Sequence, residues 1–132
     1  MKVIVESWNP KYKRLVSQMR RTTLRVGRFL GQKSVQVEIY LVANSFMKKN
    51  VLAFPAPKNF PRPDVRGVAL GEIYLNPDYI KLEIRNSKLE IFSQRLTYML
   101  IHGFLHLLGY DHKRKNDRII MEKREQQLLK KL

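Results

Sequence analysis

From Leu96 to Tyr110 the chain runs for about fifteen residues without a Lys, Arg, Asp or Glu, and its apolar side chains fall on every side of a helix. A helix with no polar stripe is stable only when the rest of the fold covers most of its faces. The run is too short to cross a bilayer, which needs about twenty apolar residues. It therefore predicts a central buried helix around which the remainder of the chain packs.

Two histidines interrupt this helix. His102 and His106 stand four positions apart, so their imidazoles lie on one side of the helix about one turn from each other. Gly109 supplies the left-handed residue on which helices often end, allowing the chain to fold back and bring His112 toward the other two. A single histidine on an apolar face is usually a hydrogen-bonded core residue. Here, however, the three histidines are the only ones in 132 residues, and all fall between positions 102 and 112. There is no Cys in the chain. An all-imidazole set with an open fourth position is the donor pattern of a catalytic zinc, whereas structural zinc sites are usually closed and rich in thiolate. Imidazole donors and tetrahedral geometry favour zinc over nickel or copper. The expectation is one Zn2+ per chain on His102, His106 and His112.

Metzincin peptidases share these offsets but carry a general-base Glu directly after the first His. Position 103 is Gly here, which argues against a peptidase.

Charge is the second constraint. With 26 Lys and Arg against 11 Asp and Glu, the net charge is +15 and the pI about 10.3. Such a surface attracts polyanions through counterion release and points to RNA or DNA as partner. No aromatic-rich amphipathic anchor suggests a membrane surface instead. A hydrophobic content of 44% excludes wholesale disorder, and the lack of Cys fits a reducing compartment. Met1 to Ser7 does not have the form of a secretory signal. The expectation is a soluble cytoplasmic protein.

Along the chain, Lys2 to Glu6 alternates as an opening strand. After Asn9-Pro10, apolar residues from Tyr12 to Leu30 recur at helical spacing with Arg and Lys over much of the remainder, and Gly31 ends this basic amphipathic helix. Val35 to Val42 alternates as a second strand. Val51 to Phe54 is a short apolar run stopped by Pro55, Pro57, Pro61 and Pro63, a punctuation that cannot continue a central ladder. Val68 to Leu75 reads as a further strand ended by Asn76-Pro77, and Tyr79 to Arg85 as a short helix. A turn at Asn86-Ser87 leads into the central helix from about Leu89. Asn116 or Asp117 is expected to cap a final helix through Met121, Leu128 and Leu129. No repeat or domain boundary emerges, so residues 1–132 read as one α+β domain, with a small mixed sheet of about four strands flanked by helices.

The stretch His102-Gly103-Phe104-Leu105-His106-Leu107-Leu108-Gly109-Tyr110-Asp111-His112 closely resembles the signature HGxLHLxGYDH of the YbeY family of endoribonucleases, also called rRNA maturation factors. Asn50 to Pro55 resembles that family's TNVLSFP segment, Gly71-Glu72-Ile73 its GD/E-I strand, and Met121 with Glu125 the spaced Met and Glu of its last helix. The resemblance implies a zinc-dependent endoribonuclease acting on single-stranded RNA in ribosomal RNA maturation, at the 3′ end of the small-subunit species. It also implies a longer segment before NVLAFP, with an Arg facing the groove. This chain has only Asn44 to Lys49 there, making Lys48 and Lys49 the candidate phosphate contacts, as point charges without a guanidinium fork. Asp111, beside the third histidine, is a candidate to orient a ligand or accept a proton, or simply to cap the turn. Glu72 is a further residue that could approach the site. The competing expectation is a non-catalytic, ribosome-associated RNA-binding protein with a structural metal.

Overall fold

The computed structural model describes residues 1–57, 67–85 and 91–132. Strand β1 spans Lys2–Ser7 and is followed by a 3-10 turn, Pro10–Leu15, and helix α1, Val16–Phe29. Strands β2 (Val35–Leu41), β3 (Val51–Pro55) and β4 (Val68–Leu75) come next, then helices α2 (Pro77–Ile84), α3 (Phe92–Leu107) and α4 (Lys115–Lys131). The four strands form one mixed sheet in the order β1-β2-β4-β3. The first three neighbours run parallel, and β3 lies antiparallel on β4 at one edge.

Register gives the sheet two unlike faces. Val5, Ile39, Ile73 and Ala53 form one row across all four strands. With Val37, Leu41 and Leu75 this row meets the helices in a continuous core that includes Met19, Val26, Leu96, Leu100, Ile101, Phe104 and Leu105. The alternation predicted for β2 is therefore a division between core and opposite face. On that other face the adjacent rows read Ile4, Glu38, Glu72, Phe54 and Glu6, Tyr40, Tyr74, Leu52. Trp8, Phe46 and Phe54 are about half exposed there, and their rings gather with Tyr40 and Tyr74 at centroid distances of 4.7–5.9 Å.

The proline-stopped run 51–54 is a true strand, at the position where proline is tolerated: the sheet edge. Pro61 and Pro63, the Asn86-Ser87 turn and the expected helix start at Leu89 lie outside the described residues; the described helix begins at Phe92. Asn76 is fully buried. Its Oδ1 accepts from Tyr79 N at 3.1 Å to cap α2, and its Nδ2 donates to Asn44 Oδ1 at 2.9 Å and Met47 O at 2.8 Å. One side chain thus ties the end of β4 to α2 and to the short connection before β3. The expected cap of α4 is corrected: Arg114 occupies that position with no side-chain bond, and Asn116 and Asp117 fall inside the first turn. Asp117 there still complements the positive end of the helix dipole.

Candidate metal centre

Helix α3 is apolar on most faces, and Leu96, Met99, Leu100, Ile101, Gly103, Phe104, Leu105 and Leu107 are all buried. It lies directly on the sheet at Gly103. A Cβ built there would sit 2.9 Å from Ile73 Cγ2 and 3.3 Å from Val51 Cγ2. A larger side chain would lift the helix off β3 and β4. This gives a steric reason for glycine after His102: position 103 faces the sheet, so a carboxylate placed there would enter the core.

The helix ends where the sequence indicated. Leu108 is the cap residue, and Gly109 has φ 99°. Gly109 N donates to His106 O at 3.0 Å and Tyr110 N donates to Leu105 O at 3.0 Å. These are the two bonds of a Schellman motif, which requires a left-handed residue and so favours glycine. The reversal returns His112 to the face that carries the other two histidines.

One donor nitrogen from each of His102, His106 and His112 lies within 4.8 Å of the others. The Nε2 atoms of His102 and His106 are 3.1 Å apart, close to the roughly 3.3 Å that two nitrogens span on a tetrahedral zinc at 2.0–2.1 Å each. The third ring is looser, its centroid 5.6 Å from that of His102 and 5.0 Å from that of His106. His102 and His106 are partly buried, and His112 is exposed. Among the described residues the cluster holds these three donors, and they can hold a metal ion. Burial, and then the neighbouring His102 and His112, push the pKa of His106 below the usual imidazole value, against the pull of the Tyr110 backbone and Glu125. A depressed value favours the neutral ring, the form that ligates metal.

Helix α4 contributes a residue that sequence reasoning left without a role. Glu125 is 1% exposed, with its Oε2 2.8 Å from His102 Nδ1 and its Oε1 accepting from Tyr98 Oη at 3.3 Å. The signal lay in the stripe Met121, Glu125, Leu128, where a carboxylate occupies a core position. Its histidine partner, 23 positions away, could not be read from spacing. Tyr98 stacks beside His102 with centroids 6.4 Å apart. Tyr98, His102, His112, Arg118, Met121, Glu122 and Glu125 line a cleft of about 190 Å³.

The remaining candidates are not among the donors of this cluster. Asp111 is exposed, and its Oδ1 accepts from Lys113 N at 3.0 Å, so the carboxylate caps the turn that carries His112. Lys48 and Lys49 are exposed in the short connection before β3. Glu72 does not approach the histidines. Ile73 faces α3, so Glu72 points to the opposite side of the sheet, where it accepts from Tyr74 Oη.

The family model described as Endoribonuclease YbeY matches residues 5–132. Among curated proteins, the chain is 37% identical over 83 residues to Endoribonuclease YbeY of Neorickettsia sennetsu, covering 63% of this chain and 54% of that one. It is 41% identical over 85 residues to Endoribonuclease YbeY of Bartonella henselae, covering 63% and 51%. The corresponding figures for the protein of that name from a Wolbachia of Drosophila simulans are 40% over 83 residues, 63% and 51%. The chain spans about half the length of the curated relatives it matches. The match reaches from β1 through the histidine cluster to the end of α4, and on that extent the chain belongs to the YbeY endoribonuclease family.

Proposed function

We propose that this chain is a zinc-dependent endoribonuclease in which His102, His106 and His112 hold the ion, acting on single-stranded RNA in the maturation of small-subunit ribosomal RNA near its 3′ end. The observation that carries the reading is the convergence of three imidazole nitrogens within 4.8 Å, with no thiolate in the chain. The relatives, each an Endoribonuclease YbeY by name, support the reaction class, and the +15 net charge supports a polyanionic substrate. A zinc ion held there supplies a Lewis acid for a phosphodiester and lowers the pKa of water. The protein's own share is orientation. α3 fixes two donors on a buried scaffold, the Gly109 reversal delivers the third, and the exposed side of His112 leaves room for RNA to approach. Asp111, beside His112, takes a proton or steadies that ligand, and Lys48 and Lys49 receive phosphate as point charges.

The shared core supports one domain over residues 1–132. Among the described residues no helix is long and apolar enough to cross a membrane, and our reading places the site of action in the cytoplasm, at or near the ribosome. A second reading is favoured by one observation: the connection between β2 and β3 carries Lys48 and Lys49 and no Arg. In that reading the chain binds ribosomal RNA without cutting it and the metal serves folding.

Cleavage of a single-stranded RNA by purified protein, with zinc added and with zinc chelated, separates the two. We expect zinc-dependent cleavage that His106→Ala abolishes together with stoichiometric zinc binding. RNA binding without cleavage in either condition supports the second reading, and zinc-dependent cleavage by His106→Ala overturns the ligand assignment.

A further inference from the structure

We propose that Glu125 is the positioning residue of the histidine cluster. Its carboxylate accepts the Nδ1 proton of His102 and so fixes the tautomer whose Nε2 lone pair faces His106 Nε2. The inference rests on the reading of the three histidines as ligands and adds a member that donates nothing to the ion itself.

Three observations meet on this residue. The first is burial: Glu125 is 1% exposed, on the stripe where α4 otherwise presents Met121 and Leu128 to the core. A buried carboxylate is costly unless its oxygens are hydrogen-bonded, and both of these have partners. The second is direction. Oε2 meets the ring on Nδ1 at 2.8 Å, while the opposite nitrogen of the same ring, Nε2, lies 3.1 Å from His106 Nε2. An imidazole hydrogen-bonded on one nitrogen and free to ligate with the other is the arrangement that sets both ring orientation and ligand basicity at metal sites. The third is support: the Tyr98 hydroxyl donates to Oε1 at 3.3 Å, and the Tyr98 ring stacks on His102. The carboxylate is therefore held as well as holding. A carboxylate kept only to pin α4 to α3 would need no particular nitrogen of His102; here it takes the one that leaves Nε2 turned into the cluster.

The test uses the full chain at pH 8. Nitrogen-15 NMR of the metal-free protein reads the tautomer of His102, and competition with a chromophoric chelator reads zinc affinity. We expect the wild type to carry the His102 proton on Nδ1. We expect Glu125→Leu to redistribute that proton toward Nε2 and to weaken zinc binding about 10–100-fold. Glu125→Gln, whose amide oxygen still accepts from Nδ1, should keep the tautomer and recover part of the affinity. A purely structural carboxylate would lower the urea midpoint in Glu125→Leu with no change in tautomer or zinc affinity, and that result overturns the proposal. So does a wild-type His102 protonated on Nε2, which decides the matter even if Glu125→Leu fails to fold. A wild type that binds no zinc but carries the Nδ1 proton removes the metal reading and leaves the tautomer assignment standing.

Discussion

On β4, Ile73 faces the helices and is fully buried, whereas Tyr74 faces away among Trp8, Tyr40, Phe46 and Phe54. The inner face is organised by volume: Ile73 touches the space that Gly103 leaves open, one residue from His102. The outer face is organised by ring contacts and by carboxylates paired with them, as where Tyr74 donates to Glu72 and Trp8 Nε1 donates to Glu6 Oε2 at 3.3 Å. Two of the three histidines ride on α3, stacked over the inner face, and the third follows its C-terminal turn. Disturbance there should reach the metal centre, and disturbance outside should not.

The strongest way to break that contrast is to truncate the two neighbours in turn. Ile73→Ala leaves a cavity beneath Gly103 and should cost about 2–5 kcal/mol, with weaker zinc binding. Tyr74→Ala should cost about 1 kcal/mol through lost ring contacts and leave zinc affinity unchanged. Urea unfolding and chelator competition measure both, and equal losses of zinc affinity would erase the distinction. Next in size is Gly103→Val, which crowds Ile73 and Val51 and should cost about 1–3 kcal/mol. It also displaces His102, so zinc affinity should fall further than in a surface control such as Ser93→Ala.

Smaller effects sharpen the outer face. Burial first, and then the Glu38, Glu72 and Glu6 carboxylates, push the Tyr40 hydroxyl up to about 12. Its unfolded value is about 10, so the fold favours the protonated phenol. That contribution is whole below about pH 10 and is lost as pH rises through about 12. Tyr40→Phe should flatten the alkaline loss of stability, seen by circular dichroism, while Tyr12, also pushed up to about 12 by burial and Asp78, keeps its own share. Smallest is Glu38→Gln. Glu38 and Glu72 are direct cross-strand partners, and like charges so placed are destabilising. Removing one should raise stability by a few tenths of a kcal/mol, read as a higher urea midpoint; a lower midpoint would mean the pair is held by something other than tolerance.

Much of this was legible in the sequence, and the reasons are local. Period-two alternation marks β2 because its two faces meet different surroundings, and Gly109 marks the end of α3 because a left-handed residue is required there. The spacing of His102 and His106 follows from helix geometry alone. What escaped depends on contacts between distant segments. The Glu125–His102 pair joins residues on different helices. The aromatic cluster draws one residue from each of five strands and loops, none conspicuous alone. Glu72 was open to either side until the β4 register fixed Ile73 inward. The α4 cap was misplaced because Asn116 and Asp117 have the right chemistry, but the cap position is Arg114, two residues before Asn116, and the helix begins at Lys115.

Gly109 and the reversal it permits have one more consequence. His102 and Glu125 are separated by only 23 positions, whereas the sheet must join β1 to β2 and β2 to β4 through long crossovers. Closing a short loop costs less chain entropy than closing a long one. The α3–α4 contact is therefore more local than the parallel strand pairings, and the turn at Gly109 lets it close at a smaller entropy cost than they do.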